Sequence, residues 1–187
     1  MEFSPSMSFP GYLTLIDFEA SSRYAESARA TEIGLVALDS ELNEVSRYST
    51  VIRPPVSIDP RALRIMNLTL DEINSANYFK DYWPDIYPYI NNRVLVAHNA
   101  QYDLGVLNNE LNELEIFTDV ASLCTLQMAF RNLRNVTKNQ KLKTLAEYFG
   151  IDYQAHQALD DAESAGKVLK KMLERTPSEY MTIGRAI

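Results

Sequence analysis

A single cysteine, Cys124, in 187 residues excludes an internal disulfide and fits a reducing, cytoplasmic compartment. No apolar run approaches the roughly 18 to 20 residues that cross a bilayer, so no membrane partner is expected. The opening segment, Met1 to Pro10, lacks the basic-then-apolar layout of a signal peptide. There is no internal repeat, low-complexity tract or linker, which leaves one domain, as the length also suggests. Positive charge is scarce too: 18 Lys and Arg stand against 25 Asp and Glu, a net charge of −7. Such a chain does not hold nucleic acid through its overall field, because phosphate binding ordinarily needs a basic face. A polyanionic substrate would need a local cationic device, such as metal ions. What is present is ordinary for a globular protein, 46% apolar and 23% charged residues, which excludes disordered and fibrous classes.

Residues 1–10 carry no period and read as a flexible N-terminal arm. Tyr12 to Phe18, Thr31 to Leu38, Val45 to Ile52 and Arg93 to Ala97 read as strands, the second and third joined by a turn over Asp39 to Glu44. Pro60 to Met66 opens a helix with Asp59 as N-cap and Pro60 at its first position. Thr69 to Ile73 forms a further turn. Phe79, Trp83, Ile86 and Ile90 recur at helical spacing despite Pro84 and Pro88. Tyr102 to Leu114, Ala121 to Leu133, Leu142 to Phe149 with Gly150 as stop, and Ala158 to Leu173 complete the helices. A strand meander followed by alternating helices and strands predicts an α/β fold with helices packed on a mixed sheet. The domain is placed at 11–174, with a C-terminal tail over 175–187.

Asp17 and Glu19 end the first strand. Positions i and i+2 share a strand face, so the two carboxylates emerge together. They are either solvated acids where a strand frays or half of a cation site. Asp103 lies in the first turn of a helix, beside the stripe of Val106, Leu107 and Leu111; it either complements the helix dipole or points inward. In the last helix Asp161 falls on the stripe with Ala165 and Val168, whereas Asp160 aligns with Ser164, Lys167 and Lys171 on a face expected to meet solvent. An inward carboxylate needs a partner or a cation. His156 stands five residues before it. If Asp17, Glu19, Asp103 and Asp161 converge, each like-charged pair at about 5 Å repels by roughly 3 kcal/mol at an effective dielectric near 20. All-oxygen ligands favour Mg2+ or Mn2+, and a pair of such ions is a known device for displacement at phosphorus.

The segments Asp17-Phe18-Glu19, His98-Asn99-Ala100-Gln101-Tyr102-Asp103 and His156-Gln157-Ala158-Leu159-Asp160-Asp161-Ala162 resemble the three sequence blocks of the DEDDh 3′→5′ exonucleases. That group includes proofreading subunits, ribonuclease T and exonuclease X. The resemblance extends from about Tyr12 to Leu173. It implies a ribonuclease H-like fold, a mixed five-stranded sheet with helices on both faces. It implies that Asp17, Glu19, Asp103 and Asp161 hold two divalent ions, Mg2+ or Mn2+, Asp17 bridging them. His156 would be the general base that takes a proton from the attacking water. Phe18, Ala20, Asn99 and Tyr102 would meet the terminal nucleotide. The expected partners are 3′ ends of single-stranded DNA or RNA, and either a second copy of the chain or a polymerase or repair protein.

A related branch places a Tyr four residues before the last Asp. That position is Gln157 here, and His156 occupies the five-residue separation, so the histidine form is expected. Departures fall elsewhere: Ala20-Ser21-Ser22 where Thr or Gly is common, Asn67 before Leu68-Thr69 where Gly is common, Tyr102 where Phe is usual, and Cys124-Thr125 where Asp-Thr is common. Cys124-Thr125 resembles exonuclease X and tilts the expectation toward DNA; an exoribonuclease is the alternative. A non-catalytic binding module of the same fold is the competing class. Arg131, Arg134, Lys138, Lys141 and Lys143 form either a guide for the strand or a solvated linker. Leu126, Phe130 and Leu133 are expected in the core.

Overall fold

The computed structural model describes residues 13–175 and 184–186; the N-terminal arm expected over 1–10 lies outside the described residues. Strands β1 (Leu13–Ala20), β2 (Ala30–Leu38) and β3 (Glu44–Val51) form the antiparallel meander. Strand β4 (Val94–Ala97) adds parallel to β1, and β5 (Val120–Cys124) parallel to β4. The order is β3-β2-β1-β4-β5, the expected five-stranded mixed sheet, and a short β6 (Gly184–Ala186) from the tail region pairs antiparallel along β5.

Seven helices accompany these strands among the described residues: α1 (Pro60–Leu63), α2 (Leu70–Ser75), α3 (Phe79–Ile90), α4 (Ala100–Glu113), α5 (Thr125–Leu133), α6 (Leu142–Phe149) and α7 (Ala158–Arg175). Local chemistry explains their ends. The Asp59 carboxylate accepts the Arg61 N–H with Pro60 at the first position, and Thr69 and Glu72 close a capping box on α2. Gly150 ends α6 in the left-handed region at φ 67°. Helix α1 is shorter than its pattern suggests and stops at Leu63. No helix is long and apolar enough to cross a membrane among the described residues.

One expectation is corrected in the middle of the chain. Ala121 to Leu133 is not one helix; its start belongs to β5. Val120 packs into one core layer and Leu123 into the other, an alternation that only period-two backbone provides. Within α5, Met128, Ala129 and Leu133 are buried, while Phe130 is half exposed, so Phe130 leaves the expected core.

Helices α3 and α4 cover one face over Ile16, Phe18, Ile33, Leu35 and Leu95, and α5, α6 and α7 cover the other over Leu13, Leu15, Val36, Leu38 and Val96. The β1–β2 loop is tied to α4 by a buried ion pair. Arg29 donates through Nε and Nη2 to Glu110 at 3.1 and 2.9 Å, and Glu110 also accepts the Ala30 N–H at 2.8 Å. Glu110→Ala leaves the Ala30 N–H without its acceptor and Arg29 with only the 3.4 Å contact to Glu113. The expected loss is about 3 kcal/mol, read as a lower urea midpoint with an unchanged slope; an unchanged midpoint contradicts the assignment.

Candidate active site

Along the α7 side of the sheet, one face of β1 reads Leu13, Leu15, Asp17, Glu19, and the facing positions of β2 read Leu38, Val36, Gly34, Glu32. The face is apolar under the body of α7 and turns acidic where α7 begins. Asp17 pairs with Gly34 and Glu19 with Glu32 across the two strands. The expected convergence therefore has a backbone cause: Asp17 and Glu19 come from one strand end, and Asp161 comes from the first turn of the helix laid across it.

Asp103 enters from α4. It is 3% exposed, and its Oδ1 accepts the Phe18 N–H at 3.1 Å, which ties α4 to β1 between the two β1 acids. Helix α4 begins at Asn99, whose backbone is left-handed at φ 78°; Asn and Asp tolerate that region better than most residues. His156 is also left-handed, at φ 69°, a strained conformation for a non-glycine residue of the kind found at functional sites. Its N–H reaches Asp161 Oδ2 at 3.2 Å, and its Nδ1 lies 3.9 Å from Glu19 Oε1.

Ligand atoms of Glu19, His156 and Asp161 all lie within 4.8 Å of one another. Asp17 and Asp103 stand outside that trio but within its electrostatic reach. Burial, then repulsion from Asp161 and Glu32, pushes Glu19 up to about 8. Burial and the neighbouring carboxylates also hold Asp17 and Asp103 well above the usual carboxylate range. Asp161 is raised mainly by burial, opposed by the nearby Tyr153 hydroxyl and by the hydrogen bond from the His156 N–H. Its Oδ1 is buried without a hydrogen-bond partner. An oxygen-rich donor set, a stranded buried carboxylate oxygen and mutual repulsion fit a hard divalent cation.

The other expected residues are placed as follows. Tyr102 is half buried beside the acids, and its hydroxyl donates to the Ser22 carbonyl. Asn99 is exposed at the start of α4. The side chains of Phe18 and Ala20 are buried on the opposite face, in the layer beneath α3 and α4; what Phe18 is seen to give the site is its backbone N–H. Asp160 is half buried and Ser164 is 2% exposed, so the face expected to meet solvent is covered at Ser164. In the basic cluster, Lys138 pairs with Glu147 at 3.5 Å.

Two participants escaped the sequence reading. Tyr153 lies beside Asp161 from the loop before α7, and no spacing rule connects them. Glu32 faces Glu19 across the hairpin. Its signal was legible as a lone charge inside the apolar strand Ala30–Leu38.

An exonuclease family of the RNase T type matches residues 14–169. The chain is 32% identical to the DNA polymerase III subunit epsilon of Treponema pallidum, over 86% of this chain and 75% of that one. It is 27% identical to the PolC-type DNA polymerase III of Caldanaerobacter subterraneus subsp. tengcongensis, over 90% of this chain but only 12% of the polymerase. It spans the same 12% share of the PolC-type polymerases of Clostridium perfringens and Oceanobacillus iheyensis. Among solved structures, exonuclease X in complex with 5′-overhanging duplex DNA superposes with a TM-score of 0.70 at 22% identity, covering 88% of this chain and 92% of that one; the likeness establishes a shared fold.

The raised carboxylates set a pH dependence. A group near 8 in the folded protein and about 4.3 unfolded binds protons on folding, so its stabilising effect is complete below about pH 4 and lost as pH rises through 8. The melting temperature in EDTA should therefore fall from pH 5.5 to 8.5. Added Mn2+ should raise it more at pH 8.5 than at 5.5, because cations replace the protons. Equal metal increments at both pH values contradict this account.

Proposed function

The chain belongs to the DEDDh 3′→5′ exonucleases of the RNase T family, and from that premise we propose that it removes nucleotides one at a time from the 3′ end of single-stranded nucleic acid, releasing nucleoside 5′-monophosphates. The observation that carries the proposal is the convergence of Glu19, His156 and Asp161 within 4.8 Å, with Asp17 and Asp103 beside them.

Asp17, Glu19, Asp103 and Asp161 would hold two divalent ions, Mg2+ or Mn2+. When bound, these supply the positive charge that offsets the carboxylates and polarises the scissile phosphate. His156 faces the site from its strained loop and accepts the proton of the attacking water. A bond forms between the water oxygen and phosphorus, the bond from phosphorus to the 3′ oxygen breaks, and that oxygen leaves protonated as the new 3′ end. The Asp103 bond to the Phe18 N–H holds β1 and α4 in register, and the His156 N–H holds Asp161 Oδ2 with the Tyr153 hydroxyl nearby. Tyr102 and Asn99, at the start of α4, would meet the terminal nucleotide.

DNA is the favoured polymer, from the Cys124-Thr125 pair. Thr125 is built into the fold: its hydroxyl meets His98 Nδ1 at 3.0 Å and donates to the Ala97 carbonyl at 3.3 Å. The epsilon subunit among the relatives supports a polymerase or repair partner, and the single cysteine supports a cytoplasmic location.

The test is a gel of 5′-labelled single-stranded DNA and matching RNA with Mg2+, Mn2+ or EDTA. A one-nucleotide ladder from the 3′ end, stopped by EDTA and faster on DNA, is expected. Asp161→Ala should abolish the ladder with the fold intact, and Asp160→Ala should leave it nearly unchanged. Full cleavage by Asp161→Ala, or no cleavage of either polymer by the parent, overturns the reading.

A further inference from the structure

Glu32 poses a question that the hydrolytic reading leaves open. It is a fifth carboxylate at a site already crowded with four. Directly across from Glu19, it adds to the repulsion felt by Asp17 and Glu19 and is itself raised by burial and by Asp161. A group that worsens the local electrostatics must contribute something else to be tolerated there.

Its contact with α7 supplies that contribution. The Glu32 carboxylate faces the N–H of Ala158, the first residue of α7, whose nearness partly offsets the burial that raises it. That N–H is one of four at a helix start with no partner inside the helix, and a negative charge there is favoured by the helix dipole. Glu32 thus does from a neighbouring strand what an N-cap side chain ordinarily does. Two residues on, and on the same strand face, Gly34 allows a second contact with the same turn. A Cβ on Gly34 would fall 2.3 Å from the Ala158 carbonyl carbon and from the Leu159 nitrogen, so the absence of a side chain is what lets α7 begin against β2. Gly34 is also the cross-strand partner of Asp17. The two residues therefore seat the α7 start directly over the β1 acids, and Asp161 lies within that first turn.

We propose that Glu32 is a positioning residue of the site: by capping Ala158 beside the glycine seat at Gly34, it sets where Asp161 stands relative to Asp17 and Glu19, and so sets the affinity for divalent cations. This rests on the metal-dependent reading of the site given above. Glu32 touches neither substrate nor reacting atoms in this role; it acts through α7.

The experiment is Mn2+ titration by calorimetry on the full chain, without nucleic acid, for the parent, Glu32→Ala, Glu32→Gln and Gly34→Ala. Thermal melts in EDTA establish that each variant is folded at the titration temperature. Glu32→Ala should weaken Mn2+ binding by about tenfold or more, the usual size of such supporting contacts. Glu32→Gln keeps an oxygen that can accept the Ala158 N–H and should stay within about threefold of the parent. Gly34→Ala should weaken binding as Glu32→Ala does. Glu32→Ala with unchanged affinity overturns the proposal. Glu32→Gln as impaired as Glu32→Ala also overturns it, because then the charge and not the cap matters. The readout needs no cleavage, so it stands apart from the exonuclease reading: a parent that binds Mn2+ but degrades neither polymer removes that reading and leaves this one to the titration.

Discussion

Carboxylates that repel one another are held together at one end of one sheet face, and much of the surrounding structure serves to keep them there. Asp17 and Glu19 cannot separate because they share a strand face, and Asp103 is fastened to that strand through the Phe18 N–H. Asp161 cannot withdraw because α7 continues as a core helix, with Val168, Leu169 and Met172 all nearly inaccessible. Apolar burial along α7 works against the repulsion at its first turn. Each such side chain contributes about 1.5 to 3 kcal/mol, comparable to one unscreened carboxylate pair in the site.

This arrangement joins folding to chemistry. The face of the sheet that packs α7 is the face that carries the acids, so the helix is placed by its apolar residues and delivers its carboxylate as a consequence. The opposite face, under α3 and α4, carries Ile16, Phe18, Ala20, Ile33 and Leu35 inward in an apolar layer. Asp103 and Tyr102 come from the start of α4, where the chain leaves β4 through the left-handed Asn99. Three segments far apart in sequence thus meet at the ends of β1 and β4 and the start of α7. A chain of net charge −7 would become suited to a phosphodiester through the cations proposed for these segments.

Much of this was legible in the sequence for identifiable reasons. Period-two spacing places Asp17 with Glu19, and the 3.6-residue stripe separates the inward Asp161 from Asp160. The five-residue gap to His156 distinguishes the histidine form. Other features depend on information a single periodicity does not carry. Strand β5 was hidden because Val120 to Cys124 runs without punctuation into an amphipathic helix. Ser164 looked solvent-facing because its neighbours on the stripe are lysines, yet tertiary packing covers it. Glu32 and Tyr153 belong to the site through strand register and loop path. Register becomes readable only once β1 and β2 are paired, and the turn from 151 to 157 follows no repeating pattern.

The central claim is that the carboxylates form a two-cation site. The most direct measurement is electron paramagnetic resonance of the Mn2+-loaded chain with a nucleoside 5′-monophosphate, together with the number of ions bound at pH 8. The account predicts two ions per chain, magnetically coupled, with Asp103→Asn leaving one isolated ion. A single uncoupled ion in the parent, or none, would contradict it.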